Sequence, residues 1–462
     1  MGKKKKKAQV QSINEAEAPA VPLTEEQQRA QIESLISTPA KTKNSYAPKK
    51  VIKPVIRYNI PLLLMLTIIV VFGLVVLYSV SGPDAYGIYN DSGYFLKKQL
   101  TFTAIGYVGL FFISLVIPMD LWASKTVSVF MGAVSIGLVV ATSVFGSVDN
   151  GARRWLKIGS NFKFQTSEVV KLALILAFAG YCKYRSEARA ENEAKGIKEK
   201  PLKQAFFDFI LPVGGAVLVD IFIVLQPHLS CFIIIALVIF MCALSAGIPL
   251  KSWLIGGAVF MVVGVIGLGV ALIVLPQEKV DSIKENYSHV FKRVEIYTAD
   301  EENTTLTDDD TRQIDNAYDA LGSGGMWGVG LGNSRSKYNY VSEAQNDYIF
   351  SIYVEETGFV GGLILILMYL SLFAMCVAVV LRANGPYARV VSAGCTALVF
   401  VEFLMNLSVE LQVMPSTGVT LPFFSYGGTA QIMLLFTMGF ILNVSKYGTA
   451  PKQKTVKEGD AK

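Results

Sequence analysis

Three acidic side chains mark the point where a polar segment of the sequence becomes apolar. Asp347 lies at this boundary in SEAQNDYIFSIYVEE, and Glu355 and Glu356 follow eight and nine residues later. A carboxylate at a helix start can act as a general base, or it can cap the helix and stabilise it by about 0.5–2 kcal/mol. The two glutamates would lie about 12–13 Å further along a helix. We expect them to face the protein interior, either paired with a cation such as Lys171 or as neutral, hydrogen-bonded groups.

A second candidate is the basic stretch DNGARRWLKIGSNFKFQTSEVVK, residues 149–171. Its cations are Arg153, Arg154, Lys157, Lys163 and Lys171. They could contact lipid headgroups around an interfacial Trp155. Alternatively, the adjacent arginines form an anion site, because the planar guanidinium suits phosphate oxygens. A phosphorylated ligand is then expected at this face.

Three other stretches could contribute to a site. The glycine-rich GSGGMWGVGLGNS at 322–334 lacks the GK[ST] of a nucleotide-binding loop, and is either a flexible turn or a backbone anion cradle. PSTGVTLPFFSYGGT at 415–429 contains helix-breaking residues, so it predicts a cavity wall with Ser425 and Tyr426 as polar contacts. The acidic run 300–310 is a solvated loop or a recruiter of divalent cations.

The elements that must position these residues are membrane spans. The chain is 52% hydrophobic and 17% charged, with a mean hydropathy of +0.45, and its apolar runs are near the ~20 residues that cross a bilayer. We predict an all-α polytopic membrane protein with about ten transmembrane helices, at 58–79, 95–117, 126–146, 168–184, 205–225, 229–246, 252–275, 347–381, 388–410 and 420–444. The eighth is long enough that it must tilt, kink or project.

Loop charges predict the orientation of these spans. The basic tail 1–56, the linker 183–203 and the tail 447–462 fall on one side, which is therefore expected to be cytoplasmic. The membrane domain is 57–446, and its large loop 276–346, between spans 7 and 8, is expected outside the cell together with Asp347. The net charge of +6 reflects this topology and gives no reason to expect nucleic acid as a partner.

Four motifs together resemble the SEDS family, which includes FtsW, RodA and SpoVE. They are NGARRWLKIG followed by FQTSEVVKLALI, then QPHLS, then GSGGMWGVGLGNS with YVSEAQNDYIFSIYVEETGFVG, and finally MPSTGVTLPFFSYGGT. The resemblance covers about Ile60 to Val444, and the amino-acid sequence of the last motif favours the FtsW/SpoVE branch. It implies ten transmembrane helices and a glycosyltransferase of the bacterial cytoplasmic membrane that polymerises lipid II into glycan strands during division or related wall synthesis.

The resemblance also assigns roles to residues. The family's essential aspartate corresponds to Asp347, as general base, and the acid before it to Glu343. Taken with the residue types above, it gives these expected substrate-binding residues: Arg153, Arg154, Lys157, Lys171, Glu343, Ser425 and Tyr426. The expected supporting residues are Trp155, Glu168, Gln226, Glu355 and Glu356. In QPHLS, His228 replaces the family's aspartate, so a catalytic role for that turn is doubtful. Glu410 stands where relatives more often have an apolar residue.

Two functions from different classes remain open. The first is polymerisation, in which an acceptor hydroxyl displaces undecaprenyl diphosphate from lipid II with inversion. The second is a lipid II flippase or other transporter, which ten spans and intramembrane glutamates would also suit. The resemblance implies a class B penicillin-binding protein, lipid II, the nascent glycan and divisome or elongasome proteins as partners. A divalent cation, Mg²⁺ or Mn²⁺, is the expected cofactor, with no site assigned.

Overall fold

The computed structural model describes residues 58–447 except 150–151, 159–161, 227, 275–307 and 339–343. The predicted tails 1–56 and 448–462 and most of the acidic run 300–310 lie outside the described residues, as does Glu343. The helices are α1 Ile60–Tyr89, α2 Tyr94–Phe111, α3 Met119–Trp122, α4 Lys125–Phe145, α5 Thr166–Ala194, α6 Pro201–Ala205, α7 Leu211–Val224, α8 Leu229–Ser245, α9 Leu250–Val274, α10 Asp308–Ser323, α11 Ile349–Arg382, α12 Pro386–Glu410 and α13 Gly428–Tyr447. Single π-helical turns extend α2 over Phe112–Val116 and join α6 to α7 over Phe206–Ile210.

Each of the ten predicted spans coincides with a helix. Eight helices in the described part of the chain are long and apolar enough to cross a membrane, and α8 is a shorter apolar helix. The remaining predicted span, in α5, carries Glu168 and Lys171 near its start and a charged second half. The prediction of an all-α polytopic membrane protein is therefore confirmed. The structure adds two elements that we did not predict, namely α10 and a small sheet between α4 and α5.

The centre of the bundle is α12. It packs against α5, α8, α11 and α13. In its most apolar 18-residue stretch 78% is buried, whereas the corresponding value for α9 is 11%. Small residues at its middle let α5 and α8 approach closely: a Cβ on Gly394 would overlap Ile175 of α5 and Cys242 of α8. A helix enclosed on several sides can hold polar groups away from lipid. This position makes α12 the natural support for a buried polar site.

The eighth span is broken at Gly358, as its length suggested. Gly358 has φ 71° and ψ −176°, so the helix ladder of α11 is interrupted there. The glycine-rich segment 324–330 enters the break and replaces the missing hydrogen bonds in both directions. Val329 and Gly330 donate N–H groups to the carbonyls of Glu355 and Glu356, each at 3.0 Å, while Phe359 and Val360 donate to the carbonyls of Gly325 and Met326. The backbone at the break is thereby satisfied by protein, as membrane helices require.

Replacing Gly358 with alanine is expected to destabilise the protein. The backbone angles at Gly358 belong to a region that only glycine adopts without strain of about 1–3 kcal/mol. A Cβ would also meet the carbonyl of Met326 at 2.5 Å and overlap the backbone of Gly328. Thermal unfolding of the purified protein should show a lower Tm for Gly358→Ala. The control is Gly267→Ala in α9, where a Cβ meets nothing within 4 Å; equal Tm values for the two variants would contradict this account.

Candidate active site

A polar stripe runs along the face of α12 that meets the other functional segments. Glu402, Asn406 and Glu410 are spaced by four residues, so they lie one above another on one side of the helix. All three are buried. From Glu402 to Glu410 the helix rises about 12 Å. Each of the three holds a different part of the chain, and together they arrange the candidate site.

The two C-terminal residues of the stripe, Asn406 and Glu410, hold the segment that contains Asp347. The Asn406 amide donates to the Asp347 carbonyl and to the Val419 carbonyl, both at 2.9 Å. Glu410 accepts the backbone N–H groups of Phe350 at 3.1 Å and Ser351 at 2.9 Å, together with the Ser351 hydroxyl. These are the donors that a capping acid normally accepts at the start of a helix. Glu410 thus supplies an acceptor for the two N–H groups that the capping alternative assigned to Asp347.

The N-terminal residue of the stripe, Glu402, holds Lys171. The Lys171 ammonium pairs with Glu168, one turn earlier on α5, at 2.8 Å, and with Glu402 of α12. All three side chains are buried. Three charges that are paired and hydrogen-bonded in this way compensate their loss of water, whereas one alone would not. The predicted pairing of Lys171 with Glu355 or Glu356 is therefore wrong, because two closer carboxylates occupy it.

Glu355 and Glu356 face the interior, as predicted, but their partners come from the glycine-rich segment. Glu355 accepts the Ser334 hydroxyl at 2.6 Å and the Arg335 N–H at 3.0 Å. Glu356 pairs with the buried ammonium of Lys337 at 2.9 Å and accepts the Ser79 hydroxyl at 2.8 Å. The two glutamates thus fasten residues 334–337 to α11. These contacts fix that part of the loop, and the supporting role of the two glutamates in a site stays a prediction.

The basic stretch forms a three-stranded antiparallel sheet, with β1 Ser147–Asp149, β2 Ala152–Ile158 and β3 Phe162–Gln165. Arg153, Arg154, Trp155 and Lys157 all belong to β2. Successive residues of a strand face opposite sides, so Arg154 lies on the other face from Trp155 and Lys157. The exposed Lys157 lies directly across from Lys163. The Gln165 N–H donates to the Thr429 hydroxyl at 3.3 Å, which ties the sheet to α13.

His228 connects this sheet to the Lys171 group. Loss of water together with the nearby charges of Arg154 and Lys171 lowers the pKa of His228 well below its usual range, so the imidazole is neutral. Arg154 therefore lies close enough to act on the same side chain as Lys171. Lys171 itself pairs with the two carboxylates Glu168 and Glu402.

The segment 415–429 contacts the segment that contains Asp347, and its role as a cavity wall stays a prediction. Tyr426 donates its N–H to the Gln345 carbonyl at 2.9 Å, and its ring packs edge-on against Phe95. Ser425 is buried, and its hydroxyl accepts the Leu421 N–H at 2.9 Å. Ser425 thus stabilises its own turn, whereas Tyr426 keeps a half-buried ring beside the Asp347 segment.

Two other predicted features have internal partners. Gln226 donates to the Val139 carbonyl at 3.0 Å and to the Ser143 hydroxyl at 2.9 Å, so it joins the end of α7 to α4. In the glycine-rich segment, the N–H groups of Gly328, Val329 and Gly330 all bond to protein carbonyls. Those three groups are therefore not a cradle for an anion.

Sequence reasoning missed Glu402, Asn406 and Lys337. The first two carried a readable signal, because Glu402, Asn406 and Glu410 repeat at helical spacing within an otherwise apolar span. Lys337 carried none, since its pairing with Glu356 depends on the path of the loop between them. Among the residues that the structure describes, no three His, Cys, Asp or Glu side chains meet in a group that could hold a metal ion.

Comparison with known proteins identifies the family. The family model described as cell cycle protein FTSW_RODA_SPOVE matches residues 60–450. The chain belongs to the FtsW/RodA/SpoVE family. The match spans the whole helical bundle, and it includes Asp347, the polar stripe of α12 and the sheet.

Curated members of the FtsW/RodA/SpoVE family agree with the expected branch. Stage V sporulation protein E of Bacillus subtilis is 31% identical over 389 residues, which are 83% of this chain and 95% of that protein. The probable peptidoglycan glycosyltransferase FtsW of Bacillus subtilis is 29% identical over 423 residues, 89% of this chain and 95% of that protein. These relatives support the FtsW/SpoVE side of the family, and the predicted enzyme class, glycosyltransferase, agrees with the second name.

Solved structures of the family show the same fold. A chain from a peptidoglycan synthase complex that coordinates polymerization and crosslinking is 24% identical, with a TM-score of 0.61 over 86% of this chain and 99% of that chain. The rod shape determining protein RodA of Thermus thermophilus is 24% identical, with a TM-score of 0.56 over 84% of this chain and 98% of that chain. The protein is thus a multi-pass membrane protein with the fold of RodA.

Proposed function

We propose that this protein is a peptidoglycan glycosyltransferase that polymerises lipid II, with Asp347 as the general base. In this reaction a hydroxyl of the acceptor sugar attacks the anomeric carbon of the donor and displaces lipid-linked diphosphate. The Asp347 carboxylate removes the proton of the attacking hydroxyl. The new bond forms opposite the leaving group, so the anomeric centre inverts in one step.

The observation that carries this proposal is the capping of α11 by Glu410. An acid at the start of a helix is most simply explained as a cap. Here the N–H groups of Phe350 and Ser351 are held by a residue of another helix, while Asn406 fixes the Asp347 carbonyl. Two buried polar side chains, Glu410 and Asn406, thus hold this segment in place. Their presence supports a chemical role for Asp347.

The leaving diphosphate needs positive charge rather than a proton donor, because its charge is already spread over several oxygens. Arg154 is the cation we assign to it first, because the planar guanidinium suits phosphate oxygens. Lys157 and Lys163 lie directly across from each other in the sheet. Arg153, on the same strand, remains a predicted contact.

We propose that the reaction takes place at the outer face of the cytoplasmic membrane and that both termini lie in the cytoplasm, because the loop charges favour that orientation. A class B penicillin-binding protein is the partner we propose, because glycan strands must be crosslinked as they are made and a neighbour in fold comes from a peptidoglycan synthase complex. Divisome or elongasome proteins and a requirement for Mg²⁺ or Mn²⁺ stay predictions.

Glycan polymerisation from lipid II by the purified protein with its transpeptidase tests the proposal. The expected result is long glycan, resolved by gel electrophoresis of the products. A folded complex that makes no glycan but moves lipid II between the leaflets of a vesicle would instead identify a flippase. The same preparation can be divided between the two assays, so the outcomes are directly comparable.

Replacing Arg154 with glutamine should weaken lipid II binding. A hydrogen bond to a charged group contributes about 1.5–3 kcal/mol, so we expect KM to rise about 10- to 100-fold. The measurement is the rate of glycan synthesis as a function of lipid II concentration. Lys157→Gln, on the opposite face of the same strand, is the matched variant. An unchanged KM for Arg154→Gln together with a raised KM for Lys157→Gln would move the diphosphate to the other face of the sheet.

A further inference from the structure

The glycine-rich segment carries four large apolar side chains on its surface. They are Met326, Trp327, Val329 and Leu331, which together form what we call the apolar loop surface. Trp327 is 78% exposed, and the least exposed of the four, Val329, is still 44% exposed. Exposed apolar side chains that occur singly need no explanation, but a cluster of them indicates an interaction site.

The backbone beneath this surface suits a poorly hydrated environment. The Gly328 N–H donates to the Gly324 carbonyl at 2.8 Å, and the segment exchanges four further hydrogen bonds with α11 across the break at Gly358. Residues 320–334 also include no charged side chain. Non-helical backbone at membrane depth is tolerated only where protein or a water-filled cavity satisfies its polar groups. These five hydrogen bonds meet that condition with protein partners.

The apolar loop surface adjoins an exposed apolar side of α11. Phe359, Leu363, Leu367 and Leu370 are all exposed, and their spacing of three or four residues places them along one side of the helix. Phe359, the first of them, donates its N–H to the Gly325 carbonyl at 2.9 Å. The loop therefore meets this side of the helix at its first residue, and the two apolar surfaces are continuous.

The position of Phe359 along α11 sets the depth of the loop in a bilayer. Arg382, the basic last residue of α11, lies 23 residues after Phe359, which is about 35 Å of helix. The hydrocarbon core of a bilayer is about 30 Å thick. With Arg382 at one boundary of the core, Phe359 and the loop beside it reach the other boundary. Tryptophan is enriched at such boundaries.

We propose that the apolar loop surface inserts into the interfacial region of the bilayer, with Trp327 as its anchor. Its ligand is the headgroup and upper acyl-chain region of phospholipids. A transmembrane helix of another protein fits this surface less well, because helices in membranes approach closely through small residues. Here the small residues Gly324 and Gly328 lie against the backbone of α11. The segment is thus held between α11 and lipid, and this contact is independent of the proposed reaction.

Trp327 fluorescence of the full chain in lipid nanodiscs tests the proposal. The difference between the spectra of the wild type and Trp327→Phe isolates the Trp327 emission from that of the other tryptophans. Phospholipids with bromine atoms near the headgroup end of their acyl chains should remove most of that emission, because bromine quenches an indole that it contacts. Iodide in the buffer should remove little of it.

Two reference variants, both made in the Trp327→Phe background, calibrate the two quenchers. Asp319→Trp places an indole at an exposed, charged position of α10 and reports the response of a water-facing side chain. Leu370→Trp places one on α11 about 18 Å from Arg382, near the middle of the bilayer. It should respond best to lipids with bromine near the ends of their acyl chains.

Two outcomes would overturn the proposal. Iodide quenching of Trp327 equal to that of Asp319→Trp would place the surface in water. Protection of Trp327 from both quenchers would show that protein covers it, either another segment or a second copy of the chain. If Trp327→Phe does not fold, Trp327→Tyr supplies the same difference spectrum.

Discussion

Replacing Asp347 with asparagine should abolish most glycan synthesis and leave the fold intact. Loss of a general base typically costs about 10²–10⁴ in rate, and asparagine cannot accept the proton of the attacking hydroxyl. The fold should tolerate the change, because Glu410 of α12 accepts the Phe350 and Ser351 N–H groups. Asparagine is also nearly isosteric with aspartate, so packing of the segment is preserved. The measurements are glycan synthesis from lipid II and Tm.

The control for this experiment is Asp319→Asn, which makes the same chemical change at an exposed position of α10. It should alter neither rate nor Tm. Asp347→Asn with wild-type activity would remove Asp347 from the chemistry, and a large drop in its Tm would point back to a structural role. An inactive variant with a wild-type Tm that still binds lipid II is the result that the proposed mechanism requires.

Replacing Lys337 with methionine should destabilise the loop 324–338 that packs against α11. Lys337 is 3% exposed and Glu356 is 1% exposed, and their ion pair spans 2.9 Å. Removing one partner of a buried pair leaves an uncompensated charge and costs about 3–5 kcal/mol. The lysine also donates to the Gly332 carbonyl at 2.7 Å. We therefore expect a markedly lower Tm and faster proteolysis within residues 324–338.

The same substitution at a solvated ion pair provides the control. Lys97 pairs with Asp91 at 2.7 Å, and both side chains are substantially exposed. Exposed pairs contribute little, so Lys97→Met should not change Tm. The double variant Lys337→Met, Glu356→Gln should recover much of the lost stability, because it removes the stranded charge as well. A double variant no more stable than Lys337→Met would show that the ion pair is not what holds the loop.

Much of the scaffold was predictable because a bilayer imposes a simple length rule. All ten predicted spans are helices, and the excess length of the eighth indicated the break that lies at Gly358. Burial of Glu355 and Glu356 followed from the cost of exposing charge to lipid. The location of Asp347 at the start of a helix followed from its position at the boundary between polar and apolar residues, and its choice as the candidate base followed from the motifs. The orientation of the bundle and the substrate contacts stay predictions.

The remaining errors have a common physical origin in contacts between distant segments. Lys171 was matched with Glu355 or Glu356 on charge alone, but the packing of α5 against α12 brings Glu402 to it instead. The sheet itself was missed because its strands of three to seven residues lie in a short, charged stretch. Glu410 had no explanation until its acceptor role for α11 was visible.

The break at Gly358 has a consequence for how the chain enters the membrane. Residues 358–382 of α11 amount to about 25 residues, more than the ~20 that a bilayer requires. That part can insert as a span by itself during synthesis. Residues 349–357 cannot complete their hydrogen bonding until the segment 324–330 has folded against them. We therefore expect insertion of residues 358–382 to come first and docking of the segment 324–330 to come second.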